Sequence, residues 1–320
     1  MNGFLARLLT PAMEWLCDIV GQYGLAIIIA TVLFRMLLLP FDIMQRKNAL
    51  RMQALNPKIE EINKRFANDP QKRQQAVAQL QKKSGVNTMS GCLPLLIQLP
   101  FFAAFFNAMR TIGYNVTYSM YELVKAGDMA GFEALMERCR FLWVHNVFQP
   151  DAMFTINLKA IFGRGASAVV SMIPTAEEAA VAFNALGVTV ADYADVMADV
   201  IATYNTRTNG LFIIAIIAGI ASFLQQKMTP QSAATTGDPA QQSTMKGMMI
   251  FMTFFSVYLC ATYNAAFGLY WMVTVAFGMI VQFVLRKVYT PERIAKQNGM
   301  TTENTFPDRK AKKAAAKEDK

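Results

Sequence analysis

Five separate stretches of this chain are each long and apolar enough to cross a hydrocarbon layer, and the first of them carries an arginine, Arg35, inside it. A spanning helix needs about 20 mainly apolar residues. Residues 21–44, 91–110, 207–227, 247–262 and 266–286 meet that need in length or in apolar content. The fourth and fifth are separated only by Tyr263 to Ala265, which predicts a tight helical hairpin. Composition agrees: 54% of the 320 residues are hydrophobic and only 17% are charged, against about 25% charged in a soluble domain. The expected fold is therefore all-α, a polytopic bundle of five transmembrane helices.

Charge placement gives that bundle a direction. Basic residues in short loops mark the cytoplasmic side. Residues 45–90 hold ten lysines and arginines against three acidic residues, and the segment from Arg286 onward holds ten against five. Between Tyr114 and Thr206 the bias reverses, with five basic and ten acidic residues. An outside N-terminus and an inside C-terminus follow. The connecting pieces are then an outer amphipathic segment (1–20), a cytoplasmic basic region (45–90), an extracytoplasmic loop with an insert (111–206), a short cytoplasmic loop (228–246) and a basic cytoplasmic tail (287–320). The first residues do not read as a cleavable signal, because Arg7, Pro11, Glu14 and Asp18 interrupt the apolar stretch.

Two loops have internal pattern. In 45–90, Ala49, Leu50, Leu55, Ile59, Ile62 and Phe66 recur at helical spacing, Asn68-Asp69-Pro70 is a turn, and a second helical run goes from Gln71 to Lys83, closed by Gly85. This predicts an antiparallel hairpin with a thin apolar seam, its first arm broken or kinked at Pro57. It reads either as a solvated hairpin or as a docking arm for acidic partners or lipid headgroups. Residues 152–174 are fairly apolar, yet Lys159 and Arg164 would each cost about 2.5–3.5 kcal/mol at a membrane centre. An amphipathic or loop segment on the outer surface is preferred to a sixth span there. Thr175 to Tyr204 reads as two short helices broken near Gly187.

Chemistry-bearing residues are few. The four cysteines form no C-x-x-C pair, and His145 is the single histidine. No phosphate-cradling glycine motif is present. A catalytic centre, a metal site and a cofactor are therefore not expected. Arg35 is the strongest signal. It shares a helical face with Gly24, Ile28, Thr31, Leu38 and Asp42. An intramembrane arginine generally faces a bundle interior or water, although snorkelling to the interface is the alternative. Gln98, Asn107, Ser222, Gln225 and Gln282 also lie within spans. Each alone reads as an interhelical hydrogen bond; together with Arg35 they read as the lining of a wet cavity. Pro94 and Pro100 bracket Gln98 and predict a kink.

Several blocks resemble the YidC family of membrane-protein insertases, in its short five-span form. They are TVLFRMLLLP (31–40), MQALNPKIEEINKRF (52–66), GCLPLLIQLPFFAAFFNAMR (91–110), FLWVHNVFQPD (141–151), SFLQQKM (222–228) and GLYWMVTVAFGMIVQ (268–282). The resemblance implies a hydrophilic groove in the inner half of the bilayer, open to cytoplasm and lipid and closed outside. It implies that Arg35 is the groove cation, Thr31 the groove threonine, and Tyr270 or Trp271 the aromatic that touches clients. Gln98, Gln225 and Gln282 join them as candidate groove or client contacts. By the same resemblance the hairpin (Arg46, Lys47, Arg51, Lys58, Lys64, Arg65) captures clients and the basic tail meets the ribosome. Implied partners are nascent membrane proteins, the ribosome, a Sec-type translocon and anionic lipids, with no small-molecule substrate and no enzymatic step. The implied location is a bacterial plasma membrane. Two features depart from the pattern: TYNAAFGLYW lacks the proline of the family's Pro-Ala-Gly turn, and the loop from Asp151 to Thr206 is long. A transporter or channel binding a small anion at Arg35 is the competing reading, weakened by the lack of an evident inverted repeat.

Overall fold

Long apolar runs with few helix breakers dictate helices, and the computed structural model of the chain is built almost wholly of them. It describes residues 4–84, 93–153, 156–157, 167–168, 171–183, 188–228 and 239–290. The helices are α1 Phe4–Val20, α2 Tyr23–Arg65, α3 Pro70–Lys83, α4 Leu93–Lys125, α5 Met129–Cys139, α6 Ala176–Phe183, α7 Val190–Tyr204, α8 Ile213–Met228, α9 Pro239–Thr262 and α10 Ala265–Val288. One two-residue ladder, β1 Ile156–Asn157 against β2 Ser167–Ala168, pairs antiparallel. Those extended positions exclude a single helix through 152–174, so the sixth-span alternative falls. Lys159, Arg164, Gly85, Gly187 and the tail beyond Thr290 lie outside the described residues.

Among the described residues, two helices, Tyr23–Gln53 within α2 and α10 itself, are long and apolar enough to cross a membrane, while 213–228 and 247–262 form shorter apolar helices. Their surfaces are inverted relative to a soluble protein. Leu33, Leu37, Ile220, Phe251, Phe254, Ile280 and Phe283 stand exposed, whereas Thr31, Arg35, Ser222 and Ser256 are buried. Apolar faces of this extent belong against lipid.

Helix bounds depart from the sequence reading where burial overrides local signals. Pro57 does not break α2, which runs through both Pro40 and Pro57 to Arg65. A proline removes one backbone bond, but Leu55 and Ile59 on either side of Pro57 are almost wholly buried and hold the helix together. Likewise α4 passes through Pro100 and continues to Lys125, beyond the apolar run that ends near Met109.

Contacts divide the chain into two units. The first comprises residues 1–36, 98–223 and 252–277. Its core runs from Ile27 through Phe105, Met109 and Ile112 of α4 to Ala215 of α8 and Phe267 and Tyr270 of α10. It continues into the insert through Phe183, Tyr193 and Met197. Asp128 caps α5, and a capping box of Thr189 and Asp192 starts α7. Helix α1 docks through buried Met13 and Cys17. Arg138 donates to Asp18 at 2.6 Å, and Asn115 to Glu14 at 3.1 Å, leaving Leu8, Trp15 and Ile19 exposed.

The second unit comprises residues 37–97, 224–251 and 278–320. Its described core is the seam Leu55, Ile59 and Val77, flanked by Met52, Ile62 and Leu80 of α2 and α3. Proline at the first position of α3 and Asp69 before it, accepting from the Lys72 amide at 3.0 Å, fix where that arm begins.

Candidate functional site

A buried arginine on a lipid-facing helix needs polar company, and α2 supplies the start of it. Thr31 is fully buried and its hydroxyl donates to the Ile27 carbonyl at 2.6 Å. Arg35, one turn on, is 8% exposed, while its neighbours Leu33, Met36 and Leu37 are 59%, 55% and 69% exposed. The cation therefore points into the first unit and the leucines point to lipid. Helix α4 closes against this face through Phe101, stacked on Phe34 with centroids 3.6 Å apart.

Helix α10 brings the aromatics. Tyr270 is buried, stacks on Phe105 at 4.2 Å, and lies within electrostatic reach of Arg35. Trp271 turns elsewhere. Its ring meets Phe102 and Phe267 edge-on or tilted at 6.2 and 6.0 Å, and its indole N–H approaches the buried Ser222 hydroxyl at 3.5 Å. Of the two candidate aromatics, Tyr270 is the one within electrostatic reach of Arg35. The side chain of Gln98 lies outside the described residues, although its position on α4 is fixed.

Gln225 and Gln282 belong to the second unit. The Gln225 amide occupies the space a side chain at Gly278 would need. Gln282, one turn beyond that glycine, has a buried Oε1 with no hydrogen-bond partner. A buried polar atom left unpaired is costly, so this stretch of α10 is built for polar contact. In the same unit Lys58, Lys64 and Arg65 are exposed on the hairpin, Lys47 and Arg51 are half-buried, and Arg46 is only 5% exposed.

Residue reasoning missed the network around the N-termini of α8 and α10. Asp151 is fully buried, and its carboxylate accepts from the amides of Leu211, Phe212 and Ile214 at 2.8, 3.2 and 2.8 Å. Those are the orphan donors of a helix start. Asn209 accepts from the Asn146 amide and donates to the Asn146 and Pro150 carbonyls. The same segment reaches α10, whose Ala265 and Ala266 amides donate to the Gln149 and Val147 carbonyls. The sequence signal was the block FLWVHNVFQPD, dense in Asn, Gln and Asp where only apolar residues would serve as filler.

Beside this network is a half-open cavity of about 510 Å³, lined among others by Phe106, Arg110, Tyr114, Gln149 and Tyr263. None of the predicted groove residues lines it. Among the described residues no cluster of three or more His, Cys, Asp or Glu is placed to hold a metal ion.

A chain almost wholly helical, with exposed apolar faces and a buried arginine, defines a class: an all-α membrane protein. More particularly, it belongs to the family described as 60Kd inner membrane protein, which matches residues 15–293. A Campylobacter jejuni protein named membrane protein insertase YidC is 26% identical over 296 residues, covering 92% of this chain and 40% of that protein. A Brucella suis protein of the same name is 27% identical over 284 residues, 89% of this chain and 36% of its own. The Leptospira interrogans protein so named reaches 34% over 136 residues, 42% of this chain and 18% of its own. The chain thus spans two-fifths or less of the length of these curated relatives.

Proposed function

We propose that the protein is a bacterial plasma-membrane insertase, which carries the polar tail of a client membrane protein through a hydrophilic intramembrane groove and releases the client's apolar segment into lipid. One observation carries this reading: Arg35 and Thr31 are buried on a helix whose neighbouring Leu33, Met36 and Leu37 are exposed and apolar. Membership of the family, and relatives bearing the insertase name, support it.

The physics is direct. An acidic residue in hydrocarbon costs a few kcal/mol. Arg35 offsets that cost by pairing with the client's carboxylates in passing, and Tyr270 shapes the path beside it. Gln98, Gln225, Gln282 and Trp271 serve as further client contacts. The membrane potential then draws negative charge outward, at about 2.3 kcal/mol per charge per 100 mV. The Asp151–Asn209–Asn146 network seals the outer end, so polar segments move without an open pore. The N-terminus lies outside and the C-terminus in the cytoplasm, where the exposed Lys58, Lys64 and Arg65 meet client tails and the basic tail meets the ribosome. A Sec-type translocon and anionic lipids complete the partners.

Reconstitution in liposomes tests this. Wild type should insert a small single-span client with an acidic tail, and Arg35→Ala should lose most of that activity while Arg35→Lys retains it. Solute uptake by wild type without client insertion sinks the insertase reading. Equal insertion of several clients by Arg35→Ala removes the charge from the mechanism.

A further inference from the structure

Among the described residues of the second unit Arg46 is the most buried cation, and two of its guanidinium nitrogens are not satisfied. It is 5% exposed, and its guanidinium Nε and Nη1 are buried with no hydrogen-bond partner. Asp42, one turn earlier on α2, does not reach either nitrogen, and no ion pair joins Arg46 to a carboxylate among the described residues. Burying a charge without partners is among the most expensive things a fold can do. A fold that nevertheless holds Arg46 there calls for an anion to compensate it.

The surroundings say which one. The apolar run of α2 ends just before Arg46, and that of α10 ends just before Arg286. The two ends lie side by side: Lys47 Nζ sits 4.8 Å over the Tyr289 ring, and Arg286 is near enough to repel Arg46. Arg51, one turn beyond Lys47, also has a buried unpartnered Nε. Next to these cations stand exposed apolar side chains that belong to the hydrocarbon: Phe41 and Met44 on α2, Phe283 and Val284 on α10. Cations at the end of a span, directly below bare apolar surface, match an amphiphile with an anionic head.

We infer that Arg46 and Arg286, at the ends of the apolar runs of α2 and α10, bind the phosphate of one anionic glycerophospholipid whose acyl chains lie along Phe283 and Val284. The phosphate oxygens accept from the Arg46 Nε–H and Nη1–H groups. Its charge relieves the repulsion between the two arginines, and the bound lipid pins the root of the basic hairpin to the last helix. The site needs only that the chain spans a membrane, so it stands or falls apart from the insertase reading.

Native mass spectrometry of the full chain from mild detergent, with phosphatidylglycerol added, reads the site. Wild type should keep one lipid. Arg46→Gln and Arg286→Gln should hold it about tenfold more weakly, the loss of a charge-assisted contact or more, and the exposed hairpin variant Lys83→Gln should match wild type. In nanodiscs, phosphatidylglycerol should raise the Tm of wild type above its value in phosphatidylcholine, and the rise should vanish in Arg46→Met. Because Arg46→Met removes an uncompensated buried charge, its Tm in lipid-free detergent should equal or exceed that of wild type. A marked drop there would mean that Arg46 is already satisfied by protein and would overturn the inference. Equal lipid retention by wild type and Arg46→Gln would overturn it as well. If inorganic phosphate in lipid-free detergent stabilises wild type as much as phosphatidylglycerol does, the site takes a free anion and the lipid assignment is wrong.

Discussion

At the residue scale, charge and burial disagree with composition at a few positions, and the candidate site lies at those positions. Arg35 was legible because an arginine stands out in TVLFRMLLLP, whatever the fold. Its direction was not legible, since the same helix could turn it toward the interface; only packing of Phe101 on Phe34 and of Tyr270 on Phe105 sets the face. Asp151 was the reverse case, an ordinary acidic residue in a loop that becomes the cap of α8. Replacing Asp151 with Ala strips three backbone donors of their acceptor. It should lower stability by about 2–3 kcal/mol, read by thermal unfolding in detergent, with Asp151→Asn costing less. His145 gives a pH signature. Burial, then the Arg140 and Arg207 cations, hold its imidazole below the usual histidine range. The unfolded chain takes up that proton near pH 6.5 while the folded chain still refuses it. Stability should therefore be full above about pH 6.5 and fall as pH drops below it. A Tm measured at pH 5.5 and 7.5 should show the loss, and His145→Gln should flatten it.

At the element scale, helix existence followed from apolar period, and helix ends did not. Gly, Asn and Asp punctuation placed the turn between α2 and α3, because Asp69 and Pro70 act locally on the first turn of a helix. Pro57 does not break α2 because its local cost is smaller than the burial on both sides of it. The seam of Leu55, Ile59 and Val77 is thin, so the hairpin has little in reserve. Ile59→Ala should remove about 2–4 kcal/mol of packing. Hydrogen exchange across 70–83 should then speed up, while exchange in α7, which lies in the other unit, stays as in wild type. Gly24 is a second packing point. The Phe141 ring occupies the space of a side chain there, so Gly24→Leu should displace the 141–144 bridge and lower the Tm.

At the scale of the whole molecule, apolar surface outside and polar groups inside identify the solvent as lipid, and the distribution of charge predicts an orientation in it. That orientation is open to a direct measurement. In a cysteine-free background, Asp199→Cys should react with an impermeant thiol reagent added outside intact cells, and Lys72→Cys should react only after lysis. Labelling in the opposite sense would reverse the topology. The sequence by itself determined the class, the number of apolar runs and the presence of an arginine within the first of them, because hydrocarbon imposes length and polarity limits on any chain that enters it, however it packs. The tertiary structure alone decided which face Arg35 takes, which aromatic lies within electrostatic reach of it, how Asp151 and Asn209 knit the helix starts together, and that Arg46 is buried without two of its partners. Each of those depends on contacts between residues tens to more than two hundred positions apart, where local pattern carries no information and only the packed neighbour sets the energy.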